Sequence, residues 1–150
     1  EDWTVSKTPD EIRQGVLPSE QMLEDMIVAQ PRILSSEWML IGRQIDTGHG
    51  GRIDLLAIAP DGSLVLVELK RDRTPREVVA QALDYAAWVD GLDADDVVGI
   101  YGRFRQGQSL SNDFQQRFGQ PLDEETINET HQVVIVAATL DATSERIVNY

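Results

Sequence analysis

Leu23, Met26 and Ile27 recur at helical spacing between Ser19, a residue able to cap, and Pro31, which ends the run; together they predict a helix over about residues 19–29. Residues 1–18 mix polar and charged positions with little period and read as an arm leading into one domain over residues 19–150. Beyond Pro31 the pattern changes. Trp38–Thr47, Arg52–Ala59 and Leu64–Lys70 read as strands, separated by a turn rich in glycine (Gly48, Gly50, Gly51) and by Pro60-Asp61-Gly62-Ser63, a strong hairpin signal. Three strands in succession predict an antiparallel meander. Thr74, Pro75 and Glu77 then give a helix start, with an N-cap, a proline at the first helical position and a capping-box acid, and the helix should run to about Asp90.

The second half of the chain is read from shorter signals. Asp93–Asp96 reads as an acidic turn and Val97–Tyr101 as a short strand buried on both faces, followed by a polar loop over residues 103–109. A helix near 111–118, a shorter one near 123–130, a buried strand from Val133 to Ala138 and a last helix from about Thr143 complete the pattern. Tyr150 falls inside that last helix, which suggests a domain truncated at its C-terminus. The expected fold is α/β: a central mixed sheet, made of the meander and two further strands, flanked by helices.

The candidate chemistry lies on the third strand. Leu64-Val65-Leu66-Val67-Glu68-Leu69-Lys70 is apolar at every position but two, so the strand should be covered on both faces and Glu68 buried. An isolated buried carboxylate is costly unless a cation meets it. Counting back through the hairpin, the residue across from Glu68 is Asp54, within about one position. Two facing carboxylates in a dry place call for a divalent cation. Period-two alternation puts Lys70 on the same face as Glu68. Oxygen donors with no nearby histidine or cysteine favour Mg²⁺ or Mn²⁺. Two acids and a lysine around a hard cation suit hydrolysis of a phosphodiester by metal-activated water.

Further side chains could join this group. Gln81 and Tyr85 share one face of the helix that follows, although a tyrosine on an inner face is often simply core. Glu20 sits on the core-facing stripe of the first helix and Glu24 at its edge, so either could supply a third carboxylate; an ordinary acid at a helix N-terminus is the plain alternative for Glu20. Arg43, Arg52, Arg71, Arg73 and Arg76 are candidate phosphate contacts, with solvated strand-end charge as the plain alternative. His49 and His131 stand alone, and Trp3, Trp38 and Trp88 read as packing residues.

Composition narrows the partners. The net charge of -13 argues against a generic nucleic-acid coat, because nonspecific affinity comes from neutralising phosphates with Lys and Arg. Charge is unevenly placed, however: six of the thirteen basic residues (Arg43, Arg52, Lys70, Arg71, Arg73, Arg76) lie around the two acids. The absence of cysteine excludes disulfides and thiolate metal sites, and cytoplasm is the default location. No apolar run in the sequence reaches the roughly 18–20 residues needed to cross a bilayer.

These residues resemble the PD-(D/E)XK nuclease superfamily, and within it the endonuclease NucS-type domain. The likeness runs from Glu20-Leu23-Glu24-Ile27 and Pro31, through Ile41-Gly42-Arg43, to GRIDLLAIAPDGSLVLVELK and QALDYAAWV. It then continues weakly through DFQQRFGQPL and VVIVAATLD to SERIVNY. The resemblance implies a restriction-endonuclease-like core with Asp54, Glu68 and Lys70 as its catalytic triad. It makes Glu20 the helix glutamate, with Gln81 and Tyr85 as supporting residues. It implies Mg²⁺ or Mn²⁺ as cofactor, held by Asp54, Glu68, Glu20 and the carbonyl of Leu69. DNA is the implied substrate, in repair or defence. Ile53 stands where the superfamily name expects proline, a departure that NucS-like members share. Such members carry a separate domain for DNA binding and dimerisation, so a homodimer and further domains outside this chain are also expected. Two rival readings keep the fold or the acidity without the chemistry: an inactive nuclease fold that holds nucleic acid or protein, and an assembly domain that meets a basic partner.

Overall fold

A computed structural model describes residues 20–48, 50–71, 75–138 and 146–149. Among the described residues are four helices: α1 (Glu20–Ala29), α2 (Pro75–Asp90), α3 (Ala94–Phe104) and α4 (Leu110–Phe118). The five strands among the described residues, β1 (Met39–Asp46), β2 (Arg52–Ile58), β3 (Leu64–Arg71), β4 (His131–Ala138) and β5 (Arg146–Asn149), form one mixed sheet in the order β1-β2-β3-β4-β5. β1, β2 and β3 are the expected antiparallel meander; β4 joins β3 in parallel and β5 returns antiparallel.

The hairpin between β2 and β3 closes as its residues dictate. Gly62 takes a φ of 90°, which favours glycine, and the Asp61 carboxylate accepts from the Ser63 N–H at 2.9 Å. Both faces of β3 are covered. Leu64 and Leu66 pack into a cluster with Val78, Ala82 and Val89 of α2, while Val65, Val67 and Leu69 pack with Leu23 and Ile27 of α1. Residues 64–69 are therefore buried, and Glu68 among them has no exposed surface (0%).

Three expectations fail. Val97–Tyr101 is not a strand but the middle of α3. The acidic turn before it is the helix cap: Asp93 accepts from the Asp96 N–H at 2.8 Å, and Asp96 accepts in return from the Asp93 N–H at 3.1 Å. Val97, Ile100 and Tyr101 are buried at helical spacing, and a five-residue apolar run cannot tell that from a buried strand. The segment expected as a last helix contains β5 instead, whose Ile147 and Val148 pair with Val136 and Ile135. The short helix near 123–130 is a single 3-10 turn, Glu124–Thr126. The sheet thus has the expected number of strands with a different fifth member.

Candidate metal and phosphodiester site

Backbone pairing between β2 and β3 runs from Ile58↔Leu64 to Leu55↔Val67 and goes no further. At the next position Asp54 faces Glu68, and their side chains continue the bonding where the strands leave off. The Asp54 N–H donates to Glu68 Oε2 at 3.2 Å, and the Leu69 N–H donates to Asp54 Oδ2 at 2.7 Å. Each carboxylate is thus held by main chain near the other. Because N–H and C=O of one strand residue point to the same side, the Leu69 carbonyl faces the side on which Asp54 sits. Lys70 Nζ lies 3.8 Å from Glu68 Oε1, beyond hydrogen-bond range, and Oε1 is buried with no hydrogen-bond partner.

Burial pushes Glu68 up to about 8, with the neighbouring Asp54 charge adding to the effect and Lys70 and the Asp54 N–H opposing it. Asp54 is also raised, chiefly by burial, against the Leu69 N–H and Lys70. Two carboxyls that resist ionisation side by side, one with an oxygen lacking any donor, make an oxygen-donor site suited to a hard cation. Among the described residues no three His, Cys, Asp or Glu side chains converge closely enough to form a metal cage. Mg²⁺ needs fewer: it is usually held by one or two carboxylates plus substrate oxygens and water.

The α1 carboxylates divide. The charge of Glu20 raises both Asp54 and Glu68, yet Glu20 does not close a three-acid group with them. Glu24 is 4% exposed and committed elsewhere: Arg43 Nε donates to its Oε2, and Gln44 Nε2 donates to its Oε1 at 2.7 Å. Arg43 also pairs with Asp25, and these contacts raise the guanidinium, led by the bond to Glu24. Arg43 is therefore tied into the fold rather than presented to a ligand. Arg52 and Arg76 are exposed; the Arg71 side chain and Arg73 lie outside the described parts of the structure.

Gln81 Nε2 donates to the Tyr85 hydroxyl at 3.1 Å, and that oxygen also accepts from the Arg52 N–H at 3.2 Å. The pair thus anchors the start of β2, two residues before Asp54. A Cβ at Gly51 would lie 2.5 Å from a Tyr85 ring carbon, so the glycine allows the ring to approach. Gly51→Ala should destabilise the protein by about 1–3 kcal/mol through this overlap, as read from urea denaturation; an unchanged midpoint would show that the ring is not wedged there.

One site residue was missed in the sequence. Gln44 has a φ of 49° inside β1, a left-handed conformation that a non-glycine residue adopts at a cost of about 1–3 kcal/mol. Its amide reaches Glu24 and also lies 3.4 Å from Asp54 Oδ1. Nothing in the side-chain pattern marks it, because the signal is in the backbone.

The family model of the endonuclease NucS C-terminal domain matches residues 19–131, most of the chain and all of the residues above. Searches of curated proteins and of solved structures each find no match.

Proposed function

The chain belongs to the endonuclease NucS C-terminal domain family, and we propose from this that it hydrolyses phosphodiester bonds of DNA with Mg²⁺ or Mn²⁺ at Asp54, Glu68 and Lys70. The observation that carries the reading is the buried Glu68 Oε1, which has no hydrogen-bond donor although it lies beside a second carboxylate and 3.8 Å from an ammonium. A buried oxygen without a donor is destabilising unless something else satisfies it.

Asp54, Glu68 and the Leu69 carbonyl would hold the ion. When bound, it would supply a nucleophile from water at neutral pH and neutralise charge on the phosphoryl oxygens. Lys70 Nζ orients the attacking water, and its charge stabilises the phosphorane-like oxygens. The new P–O bond forms to water oxygen as the bond to the leaving oxygen breaks, giving a phosphomonoester and an alcohol. Glu20 adds negative potential that favours a cation at the pair, and Gln81 and Tyr85 fix the β2 backbone that carries Asp54. Arg52, Arg71, Arg73 and Arg76 are placed along the chain to meet phosphates.

The test is a Mn²⁺ titration by calorimetry alongside a cleavage panel of single-stranded, branched and mismatched DNA, with Asp54→Asn as control. Metal-dependent cleavage in the wild type and none in the variant is expected. Equal cleavage by both would expose a contaminant and sink the reading. Gln44→Ala should weaken Mn²⁺ binding about tenfold by loosening Asp54. Gln44→Gly should weaken it similarly while recovering stability from the relaxed backbone; wild-type affinity in both would remove Gln44 from the site.

A further inference from the structure

Of the arginines near the two acids, Arg43 is occupied by Glu24 and Asp25, so a chain of net charge -13 needs further contacts to hold a polyanion. A different set of arginines converges elsewhere. A cavity of about 490 Å³ at the first end of β1 is lined by Arg32, Arg105 and Arg117, with Trp38, Tyr101 and Ser36 in its wall and no aspartate or glutamate. Among the described residues no ion pair joins any of these arginines to a carboxylate. Glu37, next to Trp38 in the chain, is exposed, and Asp113 accepts the Tyr101 hydroxyl at 2.5 Å.

Two of the guanidiniums are held in place. Arg117 Nη2 donates to the carbonyls of Ser36 at 2.5 Å and Trp38 at 3.2 Å, and its guanidinium lies 5.0 Å from the Phe118 ring. The Arg105 guanidinium sits 4.4 Å over the Phe104 ring. A planar, pre-oriented guanidinium loses little freedom on meeting a phosphate, and a cluster without carboxylates keeps its charge for a ligand. Trp38, half-buried in the same wall, offers an aromatic face of the kind on which bases stack.

We propose that this cavity is a phosphate-binding site for a nucleic-acid strand, a second contact that rests on the reading of the chain as a DNA nuclease. Its place along β1 fits. The cavity abuts Met39, and Gln44 lies opposite Asp54 between the paired positions Arg43↔Leu55 and Ile45↔Ile53. Five residue steps of β1, interrupted by a bulge between Leu40 and Gly42, separate the two, at most roughly 17 Å. That is about five base pairs along a duplex axis at 3.4 Å each.

The test is the double variant Arg32→Gln/Arg105→Gln, which leaves Arg117 to hold α4 to the backbone at Ser36 and Trp38. Its affinity for a fluorescent oligonucleotide, measured in EDTA over a range of salt, should fall at least tenfold. The slope of log K against log salt should flatten by about 1.4–1.8, the value for two lost phosphate contacts. Mn²⁺ affinity should be unchanged, and cleavage should show a raised KM with kcat retained. Wild-type affinity and slope in a variant that melts like the wild type would overturn the proposal. So would stabilisation of the wild type by inorganic phosphate, lost in the variant while oligonucleotide affinity stays the same, which would mark a site for free phosphate. Should the wild type neither bind Mn²⁺ nor cleave, the nuclease reading fails separately, and a loss of oligonucleotide affinity in the variant still supports this site.

Discussion

Glu68→Gln is expected to lower DNA cleavage by a thousandfold or more and to remove Mn²⁺ binding with it, whereas Lys70→Met should cost about 10²–10⁴ in rate and leave Mn²⁺ bound. The two outcomes differ because the residues do different work at one place. Glu68 brings to the acid pair an oxygen buried without a donor, so glutamine, which keeps the shape but loses the charge, removes attraction for a cation. Lys70 Nζ lies 3.8 Å from that oxygen, and its ammonium competes with a cation for the same charge. Its loss should even tighten Mn²⁺ binding slightly while depriving the attacking water of its positioning group. Calorimetry separates the effects from the rate, and single-turnover cleavage measures the chemistry. If Glu68→Gln binds Mn²⁺ like the wild type, the acid pair is not the metal site.

The pairing of Asp54 with Glu68 was legible because a hairpin converts sequence distance into cross-strand position: Pro60-Asp61-Gly62-Ser63 fixes the turn, and counting outward does the rest. The burial of Glu68 was legible too, from unbroken apolar neighbours. What the pattern could not hold was the way β2 and β3 stop pairing beyond Leu55↔Val67, so that carboxylates take over main-chain bonding. Nor could it give the strained φ of Gln44, which follows from tertiary constraint rather than propensity. The misreading of Val97–Tyr101 has a local cause: Asp93 and Asp96 are equally good as turn residues and as the two halves of a capping box. The arginine cavity was invisible for another reason. Arg32, Arg105 and Arg117 are separated in sequence and meet because α3 packs against β1 and Arg117 of α4 bonds to the carbonyls of Ser36 and Trp38.

In the metal-free protein, stability should fall as pH rises from about 4.5 to about 8, by an amount on the order of 4 kcal/mol. Glu68 is raised in the folded state from its ordinary 4.5 to about 8, so across that window the folded protein holds a proton the unfolded chain has released. Rising pH therefore favours unfolding, and the burden is absent below the unfolded value, where both states are protonated. Asp54, raised in the same direction, adds to the slope. For a domain whose total stability is about 5–15 kcal/mol, the loss should be plain in thermal melts in EDTA. Glu68→Gln cannot ionise, so it should melt on the order of 10 °C above the wild type at pH 8 and level with it near pH 4. Mn²⁺ should reverse the wild-type trend, since binding to the ionised pair stabilises the folded state where the proton is lost, and should leave Glu68→Gln unmoved. A wild-type melting temperature in EDTA that stays flat from pH 4 to pH 8 would mean that the two carboxyls are already satisfied without a metal, and the cation would have no reason to be there.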